Sequence, residues 1–265
     1  MERTIISYIK EKHECPEKEV TIPVGKVYTN DTDLAIFSGC TKIIGDLQIQ
    51  GSFQPTFSIF DCLKEITGDF QIGSNALLTT LSGFGHLTSI GKNFFIGNNV
   101  ALTSVSGFEK LETIGGYFFI YNNATLTSIS GFDKLKSIGD YFYISSNAVL
   151  TTLPDFGNLL TIGGFFYIEN NAALTSVSGF EKLLTLGQSF AITFNAKLTS
   201  VSGFGNLERV GGNFHISSNA LLTSLMGFAN LASIGAYFYI GINTSLTSLL
   251  GFGNLASVGG FFQIN

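Results

Sequence analysis

Groups able to do chemistry are few and scattered in this chain. The three histidines, His13, His86 and His215, stand at different phases of the sequence pattern. The three cysteines, Cys15, Cys40 and Cys62, are too few for a disulfide-stapled framework but permit one bridge. His86 follows Cys62 by 24 residues, a pair of metal-ligand types without the further ligands a zinc site needs. Glu109, Asp133 and Glu181, with Lys110, Lys134 and Lys182 beside them, read as a solvated edge. Stacking of Glu109 on Asp133 would give paired carboxylates, but no cleft is implied around them, and no triad assembles from neighbouring positions. No catalytic residue, metal or cofactor is expected. A net charge of −5 argues against nucleic acid, which favours a basic face.

The rest of the sequence explains this poverty, because it is given over to a repeat. Phe70, Phe94, Phe118, Phe142, Phe166, Phe190, Phe214, Phe238 and Phe262 recur at 24-residue spacing, and an isoleucine follows each two positions later. A fixed period of this length describes stacked coils, each in contact with its neighbours alone. Two residues apart on a strand, each Phe and Ile pair points inward. Leu102, Val105, Phe108, Leu111 and Ile114 complete one coil in steps of three, so the chain turns repeatedly instead of running as one long strand. A coil then buries about seven apolar side chains, each contributing roughly 1.5–3 kcal/mol.

Two further columns are read as structural. Asn75, Asn99, Asn123, Asn147, Asn171, Asn195, Asn219 and Asn243 form an amide ladder that satisfies backbone groups at a turn. The glycine columns at Gly107 and at Gly91, Gly115 and Gly139 mark corners that need positive φ or close approach of coils. A leucine-rich-repeat horseshoe was the natural candidate for this period, but its spacing differs, and no half of the unit favours helix. The expected fold is an all-β, right-handed parallel β-helix, three-sided, of about nine or ten coils. Residues 1–42 are expected to form an N-terminal cap and lead-in, and residues 43–265 the β-helix. Residues 1–14 are read as a short capping helix or a frayed terminus, Val20, Ile22 and Val24 as a strand, Asn30–Thr32 as a turn or N-cap, and "DLAIFSGC" as a short helix ending near Gly39. The coil holding Pro55 is expected to bulge, since "IIGDLQI" and "ITGDFQI" are 23 residues apart, not 24.

The segment "SGCTKIIGDLQI" at residues 38–49, in which a cysteine precedes an I-x-G-x-L-x-I strand, resembles the receptor L domain. That family is best known from the ectodomains of the insulin and epidermal growth factor receptors. Units such as "IGGYFFIYNNATLTSISGF" are similar to its coils, and the resemblance covers residues 15–265 in an unusually regular form. It implies a β-helical binding module outside the cell and a disulfide between Cys15 and Cys40, with Cys62 free.

Function is sought on positions the core does not need. Outward on one side stand Phe95, Tyr117, Phe119, Tyr121, Tyr141, Tyr143, Phe165 and Tyr167, with Tyr237 and Tyr239 further on. A contiguous aromatic face marks an interaction surface, although aromatics stacked down a sheet also stabilise it. A protein ligand is the expected partner and a glycan the second choice. A structural spacer or adhesin repeat is the rival reading. The column Thr79, Thr103, Thr127, Thr151, Thr175, Thr199, Thr223 and Thr247 raises ice binding as another, with hydroxyls capping a corner as its structural counterpart. Of three N-x-S/T sequons, the one at Asn30 is expected to be accessible; those at Asn123 and Asn243 lie in the ladder. No apolar stretch is long enough to span a bilayer, and residues 1–15 lack a signal-peptide core. An extracellular or cell-surface location is expected with such segments absent from this chain, the cytoplasm being the alternative. Because the chain stops inside a strand at "GGFFQIN", it is expected to be a fragment, to be capped by a partner or to self-associate end to end.

Overall fold

A computed structural model describes residues 15–51 and 57–265; the expected capping helix over residues 1–14 and Pro55 lie outside the described residues. The chain winds as a parallel β-solenoid of about ten turns. Two parallel eleven-stranded sheets run its length. One is built from the Phe-x-Ile strands, from Val27–Tyr28 and Leu47–Gly51 through Phe118–Tyr121 to Phe262–Ile264. The other is built from two-residue strands such as Ser89–Ile90 and Thr113–Ile114. Pairing follows the period directly, with Phe118 opposite Phe142 and Ile120 opposite Ile144.

The third side carries two three-stranded sheets, Thr80–Leu81 to Ser128–Ile129 and Ser176–Val177 to Ser224–Leu225. Pro154 accounts for the break. Its equivalents Ser106, Ser130 and Ser202 each donate a backbone N–H to the preceding coil, at Leu81, Val105 and Val177. Proline has no N–H to give.

Inside, two phenylalanine columns face each other. Phe94 stacks on Phe118 with centroids 4.9 Å apart, Phe108 stacks on Phe132 at 5.2 Å, and Phe94 meets Phe108 edge-on at 5.2 Å. Stacked contacts along each column and edge-on contacts between them suit the charge distribution of the rings. Leu102, Val105, Phe108, Leu111, Ile114, Phe118 and Ile120 are all fully buried, so one coil closes its own core.

The two glycine columns have different causes. Gly107, Gly131 and Gly179 hold φ between 82° and 91°, a backbone state that favours glycine. Gly139 has no positive φ, but a β-carbon there would overlap the Gly115 carbonyl oxygen of the coil below.

The first coils set the register. Leu47 and Ile49 pair with Phe70 and Ile72, then the register shifts between Gln50 and Gly51, where a 23-residue coil gives way to the 24-residue period. The predicted strand at Val20 is Glu19–Thr21, although Val24 is exposed. Asn30 caps the helix Asp31–Leu34 by accepting from Asp33 N at 2.9 Å, and a 3-10 turn, Ala35–Phe37, follows.

The cysteine pairing differs from the one the resemblance implied. Cys15 is bonded to Cys62, with Cα atoms 5.5 Å apart, and Cys40 is a free, buried thiol. The reason lies in the columns. Cys40 stands 23 residues before Leu63, at the head of the buried column Leu63, Leu87 and Leu111. Its N–H bonds Phe37 O as Leu63 N bonds Phe60 O, and its Sγ donates to Lys42 O at 3.0 Å. Cys62 stands in the solvent-side column of His86 and Lys110, where Cys15 reaches it.

A candidate binding face on the aromatic sheet

Each Phe-x-Ile strand alternates, so the residue between the buried pair points outward and is half-buried by its neighbours above and below. On the outward side the rings touch one another in series. Phe95 meets Phe119 at 5.5 Å, Phe119 stacks on Tyr143 at 4.8 Å, and Tyr143 meets Tyr167 edge-on at 5.8 Å. Beside this column, Tyr117 stacks on Tyr141 at 4.6 Å, and Phe165 packs on Tyr167 at 5.2 Å. Tyr121 closes on Phe119 at 5.4 Å. The far end of the Phe95 ring reaches over Gly97, whose absent side chain leaves room for it.

The face is interrupted in the next coil by Ser189 and Ala191. It resumes as a second group in which His215 meets Tyr239 at 4.9 Å and Tyr237 stacks on Phe261 at 4.2 Å. These residues, with Asn213 and Gln263, line a shallow cavity of about 260 Å³. The structure therefore brings eight of the ten expected face residues into one series of ring contacts and sets Tyr237 and Tyr239 apart from it, in the wall of the cavity.

Burial pushes the phenols of Tyr117, Tyr141, Tyr143 and Tyr167 above the usual tyrosine value, so they remain neutral hydrogen-bonding groups. Burial likewise holds His215 below the usual histidine value; its ring bonds Ser217 Oγ at 2.7 Å. Three participants lie outside the ten expected residues, although His215 and Phe261 stand in the same outward columns of the sequence. Glu169 accepts from Tyr143 Oη at 2.9 Å, His215 joins Tyr239, and Phe261 extends Tyr237. The periodicity held the signal for Glu169: it lies two residues beyond Tyr167, the partner of Tyr143, and so is its diagonal neighbour across the strands.

The other columns are occupied by the scaffold. Within the ladder, Asn123 Nδ2 donates to Ile96 O, Tyr121 O and Asn147 Oδ1, while Asn147 Oδ1 also accepts from Asn123 N at 3.1 Å. In the threonine column, Thr103, Thr127, Thr175, Thr199, Thr223 and Thr247 each donate their hydroxyl to the carbonyl of the threonine one coil below, which spends the donors on the backbone. Asn30 is exposed, whereas Asn123 and Asn243 are buried. Glu109, Asp133, Glu181 and their lysine neighbours are exposed. Cys62 is consumed by its disulfide and cannot pair with His86; among the described residues no group of three or more metal-ligand side chains comes together. No helix among the described residues is long and apolar enough to cross a membrane.

The turn before each ladder amide departs from ordinary backbone. Ser74, Asn98, Asn122, Ser146, Asn170, Phe194, Ser218 and Ile242 all hold φ between 52° and 59°. Asn and Ser are at home there; Phe194 and Ile242 are bulky, exposed and strained.

Fold and face together define a β-solenoid with one aromatic side. Residues 39–106 match the family model of the receptor L domain, a family of non-enzymatic, ligand-binding extracellular domains, and the parallel solenoid is consistent with that match. No curated protein and no solved structure matches the chain.

Proposed function

We propose that this chain is a non-catalytic binding module displayed outside the cell, which docks a protein partner on the outward aromatic face. The surface runs from Phe95 to Tyr167, with Tyr237 and Tyr239 as its extension. The observation that carries this reading is the unbroken series of ring contacts from Phe95 to Tyr167 on a side where the core needs none. Each coil already closes its interior with its own inward side chains. Rings held in place by neighbouring rings lose little freedom on binding, which is what a docking surface requires. The matched family supports a binding role, and the Cys15–Cys62 disulfide suits an oxidising location.

The test is capture of partners from cell-surface extracts, and a glycan array, run with the folded protein and with a Tyr117→Ser, Tyr141→Ser, Tyr143→Ser variant of matching circular dichroism. Partner binding lost in the variant is the expected result. Equal binding by both proteins removes this face from consideration. A blank result for both favours a structural spacer.

A further inference from the structure

The aromatic face has a charge pattern of its own. From Asp69 to Gln263, its outward positions hold two carboxylates, Asp69 and Glu169, and no lysine or arginine. His215, on the same side, is held neutral by burial. Lys92, which precedes Asn93 of the outward column, is paired with Asp46 at 3.4 Å.

Asp69 and Glu169 differ in setting. Asp69 accepts a backbone bond from Asn93 N and lies at the start of the face, where its charge reaches Tyr117 and helps to raise that phenol. Glu169 stands among the rings in contact. Its Oε2 accepts from Tyr143 Oη at 2.9 Å, and its Oε1 has no hydrogen-bond partner among the described residues. Its strand neighbours in the adjacent coils, Ser145 and Thr193, bring no charge to it. Tyr167 and Phe165 lie on the same strand, and Phe119 and Tyr143 continue the platform in the coils below.

A carboxylate fixed at the margin of a neutral ring platform, with no cation of its own, is complementary to a planar cation. A guanidinium can lie over a tyrosine or phenylalanine face and donate from its edge to a carboxylate oxygen, which an ammonium does less well. We infer that the face recognises an arginine side chain carried by a basic segment of the partner protein, the ring platform taking the guanidinium face and Glu169 Oε1 taking its edge. This rests on the reading of the aromatic face as the docking surface, and it names the partner's chemistry.

The probe is a short fluorescein-labelled peptide alternating arginine and serine, with the same peptide carrying neutral citrulline for arginine as its control, read by fluorescence anisotropy. Binding by the arginine peptide alone is expected. Glu169→Gln, which preserves the acceptor for Tyr143, should weaken it about tenfold, since it removes a charge-assisted bond. The paired substitution Glu109→Gln with Asp133→Asn removes two carboxylates from the solvated edge and should leave affinity within about twofold, as screened surface charges do. Equal weakening by the two variants would reduce the effect to net charge and overturn the inference. So would equal affinity for the citrulline peptide, or no binding by the arginine peptide. A captured partner or glycan that is lost in the triple tyrosine variant but indifferent to Glu169→Gln would overturn the arginine assignment while leaving the docking face intact.

Discussion

The amide ladder makes a position-specific prediction about stability. Consider Asn99→Ala and Asn75→Ala, two substitutions in neighbouring coils of the same column. Asn99 Oδ1 accepts from Asn75 N at 3.0 Å, and Asn99 Nδ2 donates to Ile72 O at 3.0 Å. Removing the side chain strands a buried backbone N–H, which costs about 1–3 kcal/mol, and loses donor bonds of about 1 kcal/mol each. The sum is about 3–5 kcal/mol, a large share of a typical domain's stability. Asn75 is different because it begins the ladder. Its Nδ2 donates to Ile49 O, Gly73 O and Asn99 Oδ1, the last a bond that either substitution removes, but its Oδ1 has no partner among the described residues. Asn75→Ala therefore loses donor bonds without stranding an N–H, and its cost should be lower by about 1–3 kcal/mol. Comparing adjacent coils keeps fraying at the chain end from imitating the difference. The assay is urea denaturation of the three proteins at fixed pH, with midpoints compared at a common slope. Equal destabilisation, to within about 0.5 kcal/mol, would refute the claim that each amide earns its place by capturing the N–H of the coil before it.

Other consequences are as direct. Gly139→Ala should be strongly destabilising, because its β-carbon meets the Gly115 carbonyl, whereas Gly205→Ala, with open space around it, should be close to neutral; thermal melts compare them. Non-reducing peptide mapping should recover a Cys15–Cys62 link, and Cys40, whose thiol burial pushes up, should resist alkylation until the protein unfolds. A Cys15–Cys40 link, or rapid native labelling of Cys40, would contradict the pairing. Stability should fall as pH rises past about 10, because unfolded tyrosines ionise before the raised phenols of Tyr117, Tyr141, Tyr143 and Tyr167. It should also fall as pH drops below about 6.5, because unfolded histidine takes up its proton before the depressed His215 does. Unfolding midpoints across pH, beside Tyr143→Phe and His215→Gln variants with flattened alkaline and acid limbs respectively, check both signs.

The fold was legible because every coil repeats the same solution. Phe118 and Ile120 are buried for the same reason as Phe142 and Ile144, so nine copies of one pattern correct for local ambiguity. The break on the third side was legible only in part. Asp155 and Pro154 stand out in their columns, but it takes the backbone bonds at Ser106, Ser130 and Ser202 to see what Pro154 removes. The cysteine pairing followed family resemblance and failed, although alignment of Cys40 with Leu63 at the 23-residue offset marked it as a core residue. The aromatic face was visible as a column. Its division was visible too, because Ser189 and Ala191 stand in those columns, but the bond from Tyr143 to Glu169 depends on ring directions and diagonal neighbours that a one-dimensional period does not specify. The strained Phe194 and Ile242 were invisible for a similar reason, since their column looks like an ordinary turn until its φ values are known.

The central claim is that partners dock on the rings from Phe95 to Tyr167. Hydroxyl-radical footprinting of the protein with and without a captured partner tests it most directly, because tyrosine and phenylalanine are efficiently labelled and both faces of the solenoid are read at once. The account predicts protection at Phe119, Tyr141, Tyr143 and Tyr167, with Leu77, Leu221 and Met226, exposed elsewhere on the molecule, labelled as before. Protection at those three residues with the aromatic rings unchanged would contradict it.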